Sequence, residues 1–312
     1  MDAPRIGLAL GSGSARGWAH LGVLQALDER GLKPTVLAGA SVGALVGAAF
    51  ASGQAAGLEA WVRTLTKMDV WTLLDATFAG GGMMRGNRLM QAISEHIEDV
   101  AIESMPIAFA AVAADLVTGQ EVWLRTGPML HAVRASSGLP GLFAPVRHEG
   151  RWLIDGGVVN PVPISLCRAL GAEYIIAVNL NRTLSSRRRA RHTAAQIESE
   201  QAAEELPGGH TSTALLERWS GLVDGLVESL RSSRGHEPGL FEVMASSINI
   251  MQDRITRSRM VGDPPYVTIS PELVDFQLMD FHRAAEAIEI GYEATQRADT
   301  ELRELLDAVR QD

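Results

Sequence analysis

An α/β fold, with a mostly parallel sheet covered by helices on both faces, is predicted by three features of this 312-residue sequence. Short apolar runs of strand length alternate with longer segments of helical periodicity, the pattern of successive strand–helix–strand units. Aromatic residues make up only 5% while glycine occurs 31 times, so the interior must be built from Ala, Val, Leu and Gly, which lets backbones approach closely. A hydrophobic share of 46% against 21% charged residues is that of a globular chain and excludes wholesale disorder.

The elements follow in order. Residues 5–10 are a buried strand, and 16–30 a helix in which Leu21, Leu24 and Leu27 recur at helical spacing until Gly31 stops it. Residues 35–40 are a second strand, and 42–51 an Ala-rich buried helix. Residues 107–116 and 121–125 flank Thr118 and Gly119 as a hairpin; 152–154 form a short strand ending at Asp155 and Gly156, and 174–180 another. Residues 183–213 break the pattern with the run SSRRRARH, an acidic Gln/Glu/Ala segment and Pro207-Gly208-Gly209, and read as a mobile insertion. Beyond it, Leu215, Leu216, Trp219, Leu222 and Val223 begin one face of an amphipathic helix that runs on to Leu230, and a final helix is expected near 282–309. No internal repeat interrupts this order.

Composition also limits the function. The net charge of −9 argues against a nucleic-acid-binding protein, which carries a basic field over the contacting face. The single cysteine, Cys167, cannot form an intrachain disulfide, and no Cys/His cluster has zinc spacing, so no metal site is expected and a reducing cytoplasm fits best. The N-terminus enters an apolar run almost at once, which leaves no separate signal-peptide core, and the longest uncharged apolar stretch, 36–51, falls short of the roughly 20 residues of a membrane span.

The chemistry concentrates in three segments. Gly39-Ala40-Ser41-Val42-Gly43 is the only G-x-S-x-G match, and it lies between an expected strand and an expected helix. That is the setting of a nucleophile elbow: a tight turn projects the hydroxyl, Gly39 and Gly43 keep the turn small, and the helix N-terminus favours negative charge near Ser41. Gly11-Ser12-Gly13-Ser14-Ala15-Arg16-Gly17 also joins a strand to a helix, and successive amides there can point at one anion, as a phosphate cradle or an oxyanion hole. No Walker G-K-[ST] ending is present, and Arg16 stands where a dinucleotide fingerprint needs its third glycine, so nucleotide binding is disfavoured. Asp155-Gly156-Gly157 is by itself only a turn, but an aspartate held against a serine hydroxyl can take its proton.

With the segments 11–24 (GSGSARGWAHLGVL), 39–43 (GASVG), 135–146 (ASSGLPGLFAPV) and 155–163 (DGGVVNPVP), the sequence resembles the patatin-like phospholipases, in particular the bacterial RssA-like branch related to the catalytic domain of neuropathy target esterase. The resemblance spans most of the chain, and residues 265–291 look like the family's C-terminal part. It implies a three-layer α/β/α sandwich with a mostly parallel central sheet, a single acyl-hydrolase domain over 1–312, and a helical C-terminal part at 214–312. It further implies a Ser-Asp dyad without a catalytic histidine, with Ser41 as nucleophile and Asp155 as base. The oxyanion hole would come from Gly11, Ser12, Gly13 and Ser14, with Arg16 in the family's basic position, bracing the turn or meeting an anionic head group. No metal or cofactor is implied, and the substrate would be a lipid or other carboxylic ester. Leu10 and Ser12 differ from plant patatins, which carry Asp and Gly there.

Two other readings stand beside this one. A Ser-Asp-His triad would draw on His192, His210, His236 or His282, none of which has a distinctive local motif, while His20 beside Trp18 reads as structural. A regulatory lipid-binding protein would use the Arg187–Arg191 cluster and the adjoining amphipathic helix at an anionic membrane surface, a peripheral contact at the inner membrane that an enzyme could also make. Met83, Met84, Leu139, Leu142 and Phe143 suit an acyl channel and suit a core equally well.

Overall fold

The computed structural model describes residues 5–73, 84–182 and 240–311. The chain divides into two compact units, residues 1–186 with 248–312, and residues 187–247. The expected insertion at 183–213, the arginine cluster and the amphipathic helix at 215–230 lie outside the described residues.

The larger unit is built on an eight-stranded sheet: β1 (Ile6–Leu10), β2 (Val36–Ala40), β3 (Ala108–Asp115), β4 (Glu121–Leu124), β5 (Val146–His148), β6 (Arg151–Asp155), β7 (Tyr174–Val178) and β8 (Val267–Ile269). Its order is β5-β6-β3-β2-β1-β7-β8, with β4 added to β3. The run β3-β2-β1-β7-β8 is parallel, β4 and β6 each pair antiparallel with β3, and β5 pairs antiparallel with β6. Alternate residues face opposite sides. Leu8, Leu10 and Leu37 enter one apolar layer, whereas Ala9, Val36 and Ala38 enter the other. The first layer is covered by helices α1 (Ala19–Glu29) and α2 (Val42–Ala51), and the second by α7 (Ile164–Ala169), so the fold is a three-layer α/β/α arrangement. Burying a leucine as completely as Leu8 and Leu10 contributes about 2 to 3 kcal/mol each.

Several elements differ from expectation. The expected helix at 16–30 starts with a 3-10 turn over Ser14–Trp18 before α1 begins. Helices α3 (Ala55–Val62), α4 (Lys67–Leu73), α5 (Asn87–Ser94) and α6 (Met129–Ser136) fill segments that strand–helix alternation left unassigned. After α8 (Leu240–Gly262), the single helix expected near 282–309 is two, α9 (Ala284–Arg297) and α10 (Asp299–Gln311). They break at Ala298, whose φ of −91° and ψ of 16° leave the helical region, and Asp299 Oδ1 accepts a hydrogen bond from Arg30 Nε at 3.2 Å, which fixes the new start.

Helices α1 and α9 cross backbone to backbone. A Cβ at Gly291 would lie 2.0 Å from the Ala19 carbonyl oxygen, and one at Gly22 would lie 1.8 Å from that of Ile288. Because the obstacle is main chain, neither side can yield by changing a rotamer. Gly291→Ala is therefore expected to lower the unfolding free energy by about 3 kcal/mol or more, read as a lower urea midpoint. An unchanged midpoint would show that the crossing has room to spare.

Candidate active site

Strand β3 serves as the template for the site. Ala40 of β2 pairs with Val112 and Asp155 of β6 pairs with Ala113, so two segments more than a hundred residues apart reach β3 at neighbouring positions. Ser41 follows Ala40 directly and caps α2 with φ 57° and ψ −125°, a region that side chains other than glycine rarely adopt. Such a turn exists because its flanks are bare: a Cβ on Gly39 would meet the Gly43 carbonyl oxygen at 2.4 Å, and one on Gly43 would meet that of Leu10 at 2.2 Å. The Ser41 amide donates to Ser136 Oγ at 2.9 Å, and Ser136 in turn donates to the Val112 carbonyl at 2.5 Å. Ser136 thus ties the elbow to the template strand, a role that no local pattern announces.

Ser41 Oγ donates to Asp155 Oδ2 at 2.6 Å, and the other carboxylate oxygen accepts from the Gly157 amide at 2.7 Å. Asp155 is fully buried. Burial pushes its carboxyl up from 3.8 to about 6, against the opposing pull of the hydrogen bonds from Ser41 and Gly157. A carboxylate of that basicity is suited to accept a proton near neutral pH. Among the described residues no histidine hydrogen-bonds to Ser41 or Asp155. His192, His210 and His236 lie outside the described residues, and His282 sits in the 3-10 turn Phe281–Arg283.

The loop 11–16 leads out of β1, beside the elbow. Its first two amides are already engaged: Gly11 N–H donates to the Val178 carbonyl at 3.1 Å and Ser12 N–H to that of Pro161 at 2.8 Å. The expectation that Gly11 and Ser12 supply oxyanion donors is corrected accordingly, because an amide hydrogen already donated to a main-chain carbonyl cannot also point at a ligand. The amides of Gly13 and Ser14 have no hydrogen-bond partner among the described residues, and the positive φ of Ser14, 52°, turns the chain there. Arg16 is buried and donates from Nε to the Gly13 carbonyl at 3.0 Å and from Nη2 to Asn249 Oδ1 at 2.8 Å, so it braces the turn from inside. His20 is also buried. Its Nε2 lies 2.8 Å from the Gly11 carbonyl oxygen, an acceptor only, so that nitrogen carries the proton; desolvation lowers the imidazole to about 4 and keeps it neutral.

A cleft of about 1100 Å³, part of it open to solvent, begins at Ser41 and the 12–16 loop. Leu139, Leu142 and Phe143, which suited a channel and a core equally well, line it. Met84 is not among the lining residues, although its amide donates to the Leu142 carbonyl and its carbonyl accepts from the Ala144 amide, and Met83 lies outside the described residues. It is also lined by Trp61 of α3, Leu65 just after that helix, and Met90 and Ile93 of α5, none of which sequence reasoning had singled out; the apolar spacing of 87–94 was the available signal. Among the described residues there is no group of three or more side chains able to hold a metal ion, and no helix is long and apolar enough to cross a membrane. Cys167 is buried in α7, and burial pushes its thiol up, away from reactivity.

The chain is similar to several known proteins. The family model "Patatin-like phospholipase" matches residues 8–168, which include the 11–16 loop, Ser41 and Asp155. An uncharacterized NTE family protein of Mycobacterium tuberculosis is 35% identical over 325 residues, covering 93% of this chain and 90% of that protein. Patatin-like phospholipase domain-containing protein 7 of Rattus norvegicus is 33% identical over 182 residues, covering 56% of this chain and 13% of that protein. Among solved structures, VipD from Legionella pneumophila is similar with a TM-score of 0.41 and 13% identity, over 95% of this chain and 66% of that one. The chain belongs to the patatin-like phospholipase family and is, by that membership, a carboxylic ester hydrolase.

Proposed function

We propose that this protein is a serine acyl hydrolase that cleaves carboxylic esters of lipids, of the phospholipase A, lysophospholipase or esterase type, through Ser41 and Asp155. The observation that carries the reading is the 2.6 Å hydrogen bond from Ser41 Oγ to a buried Asp155, at the head of a largely apolar cleft. Ser41 Oγ attacks the ester carbonyl carbon while its proton passes to Asp155 Oδ2. The carbonyl oxygen becomes an oxyanion facing the Gly13 and Ser14 amides, aided by the positive end of α2. Collapse breaks the bond to the alcohol, which leaves with the proton from Asp155, and the acyl group stays on Ser41. Water then gives a proton to Asp155 as its oxygen attacks the acyl carbon, and the second collapse releases the acid and returns the proton to Ser41. The apolar walls suit the acyl chain. A lipid ester is presented at a surface, so peripheral contact with a membrane surface belongs to this reading.

The test is labelling of purified protein by a fluorophosphonate, located by peptide mass. Stoichiometric label on Ser41 is expected, with His192→Ala, His210→Ala, His236→Ala and His282→Ala each labelled at a rate within about twofold of wild type. A fall of about two orders of magnitude in one of these would assign a Ser-Asp-His triad instead. Folded wild type that takes no label at all would count against a serine hydrolase.

A further inference from the structure

Helix α8 presents two amide side chains, Asn249 and Gln252, one turn apart on the same face. Both reach the loop that carries the Gly13 and Ser14 amides, and each holds a different side of it. Asn249 Oδ1 accepts from Arg16 Nη2 at 2.8 Å, and the Nε of the same guanidinium donates to the Gly13 carbonyl at 3.0 Å. Gln252 Nε2 donates to Ser12 Oγ at 3.2 Å, while its Oε1 accepts from Asn181 Nδ2 at 3.0 Å; that amide also donates to the Ser12 carbonyl at 3.3 Å. Ser12, Asn181 and Gln252 are all buried.

The cluster fits only because Gly157 has no side chain. A Cβ there would lie 2.6 Å from both Gln252 Nε2 and Ser12 Oγ. The amide of Gly157 is the one that donates to Asp155 Oδ1, so the packing that seats Gln252 also adjoins the residue that holds the carboxylate. The two free amides therefore sit on a short stretch tied down at both ends, at Ser12 and at Arg16, by the same helix.

We infer that Asn249 and Gln252 are positioning residues that aim the Gly13 and Ser14 amides at the oxyanion. This rests on the reading of Ser41 as nucleophile. Neither side chain bonds to Ser41 or Asp155; they act through Ser12 and Arg16. Donor stabilisation of an oxyanion falls steeply with misplacement, and a shift of about 1 Å costs on the order of a hundredfold in rate. The effect belongs in kcat more than in KM, because the donors act on charge that develops only in the transition state.

The experiment compares Gln252→Ala, Asn249→Ala and Asn249→Asp with wild type, using steady-state ester hydrolysis and time courses of fluorophosphonate labelling. Gln252→Ala and Asn249→Ala are expected to lower kcat by about 30- to 100-fold with KM changed by less than about threefold. Labelling should slow by a similar factor yet reach the wild-type endpoint at Ser41. Asn249→Asp keeps an oxygen facing Arg16 and should remain within about threefold of wild type. Alanine variants that label at the wild-type rate overturn the inference alone. So do variants whose endpoint falls while the remaining fraction reacts at the normal rate, since that is simple loss of folded protein. A wild type that is not labelled at Ser41 overturns the nucleophile reading and this inference with it.

Discussion

Asp155→Asn is expected to lower kcat/KM by about three to four orders of magnitude while making the protein more stable at pH 8. The activity falls because an amide facing Ser41 Oγ donates where the carboxylate accepts, so the hydroxyl has nowhere to send its proton. The stability rises for the reason that suits Asp155 to the role of a base. Its carboxyl titrates at about 6 in the folded protein and near its ordinary 3.8 in the unfolded chain. Below the lower value both states hold the proton, and the group has no pH-dependent effect. Between about 4 and 6 the unfolded state has released its proton and the native state has not, so stability declines as pH rises. Above about 6 the loss is complete, and a shift of this size corresponds to about 3 kcal/mol. Asparagine has no such term. The variant's advantage over wild type should therefore grow between pH 4 and pH 8 by up to about 3 kcal/mol, measured as urea midpoints at the two pH values. An advantage equal at both would show that Asp155 does not carry the raised basicity. In wild type the same ionisation should appear as a rise of kcat/KM through about pH 6.

Ser41→Ala and Ser41→Gly should both abolish acyl-enzyme formation, with a loss of about four to six orders of magnitude in kcat. Their stabilities should differ in an unusual direction. At φ 57° and ψ −125° a Cβ is strained by about 1 to 3 kcal/mol, and alanine keeps that strain whereas glycine removes it. Glycine ordinarily costs about 0.5 to 1 kcal/mol relative to alanine through chain entropy, so a more stable glycine variant is a reversal of the usual order. Both substitutions delete the hydrogen bond to Asp155, and the comparison isolates the backbone. An alanine variant as stable as the glycine variant would mean that the elbow relaxes once the hydroxyl is gone.

How much of this was legible depended on how local the cause is. Strands β1, β2, β3 and β7 could be read because each is a short apolar run bounded by turn residues, and the elbow because its glycines and serine lie within five positions. β5 escaped, since three residues that pair with β6 leave no periodicity to detect. The break at Ala298 escaped too, because neither glycine nor proline marks it, and the tie between Arg30 and Asp299 spans the length of the chain. Within the site, Asn249 and Gln252 carry no local signal and Ser136 is marked only by lying in the 135–146 segment: each acts through a partner far away in sequence.

The order of the residues supplies the available chemistry: a serine on a tight strand-to-helix turn, an aspartate ending a strand, a glycine-rich loop, and small residues wherever backbones must touch. What those groups can do is set by their neighbours in the folded chain. The Gly11 and Ser12 amides are consumed by carbonyls of residues 178 and 161, which leaves the next two amides for a ligand. Asp155 gains its basicity from burial, which no side chain possesses in isolation. Hydrogen-bond directions and desolvation are set by every neighbour at once, and those neighbours come from strands and helices that meet only when the sheet is assembled.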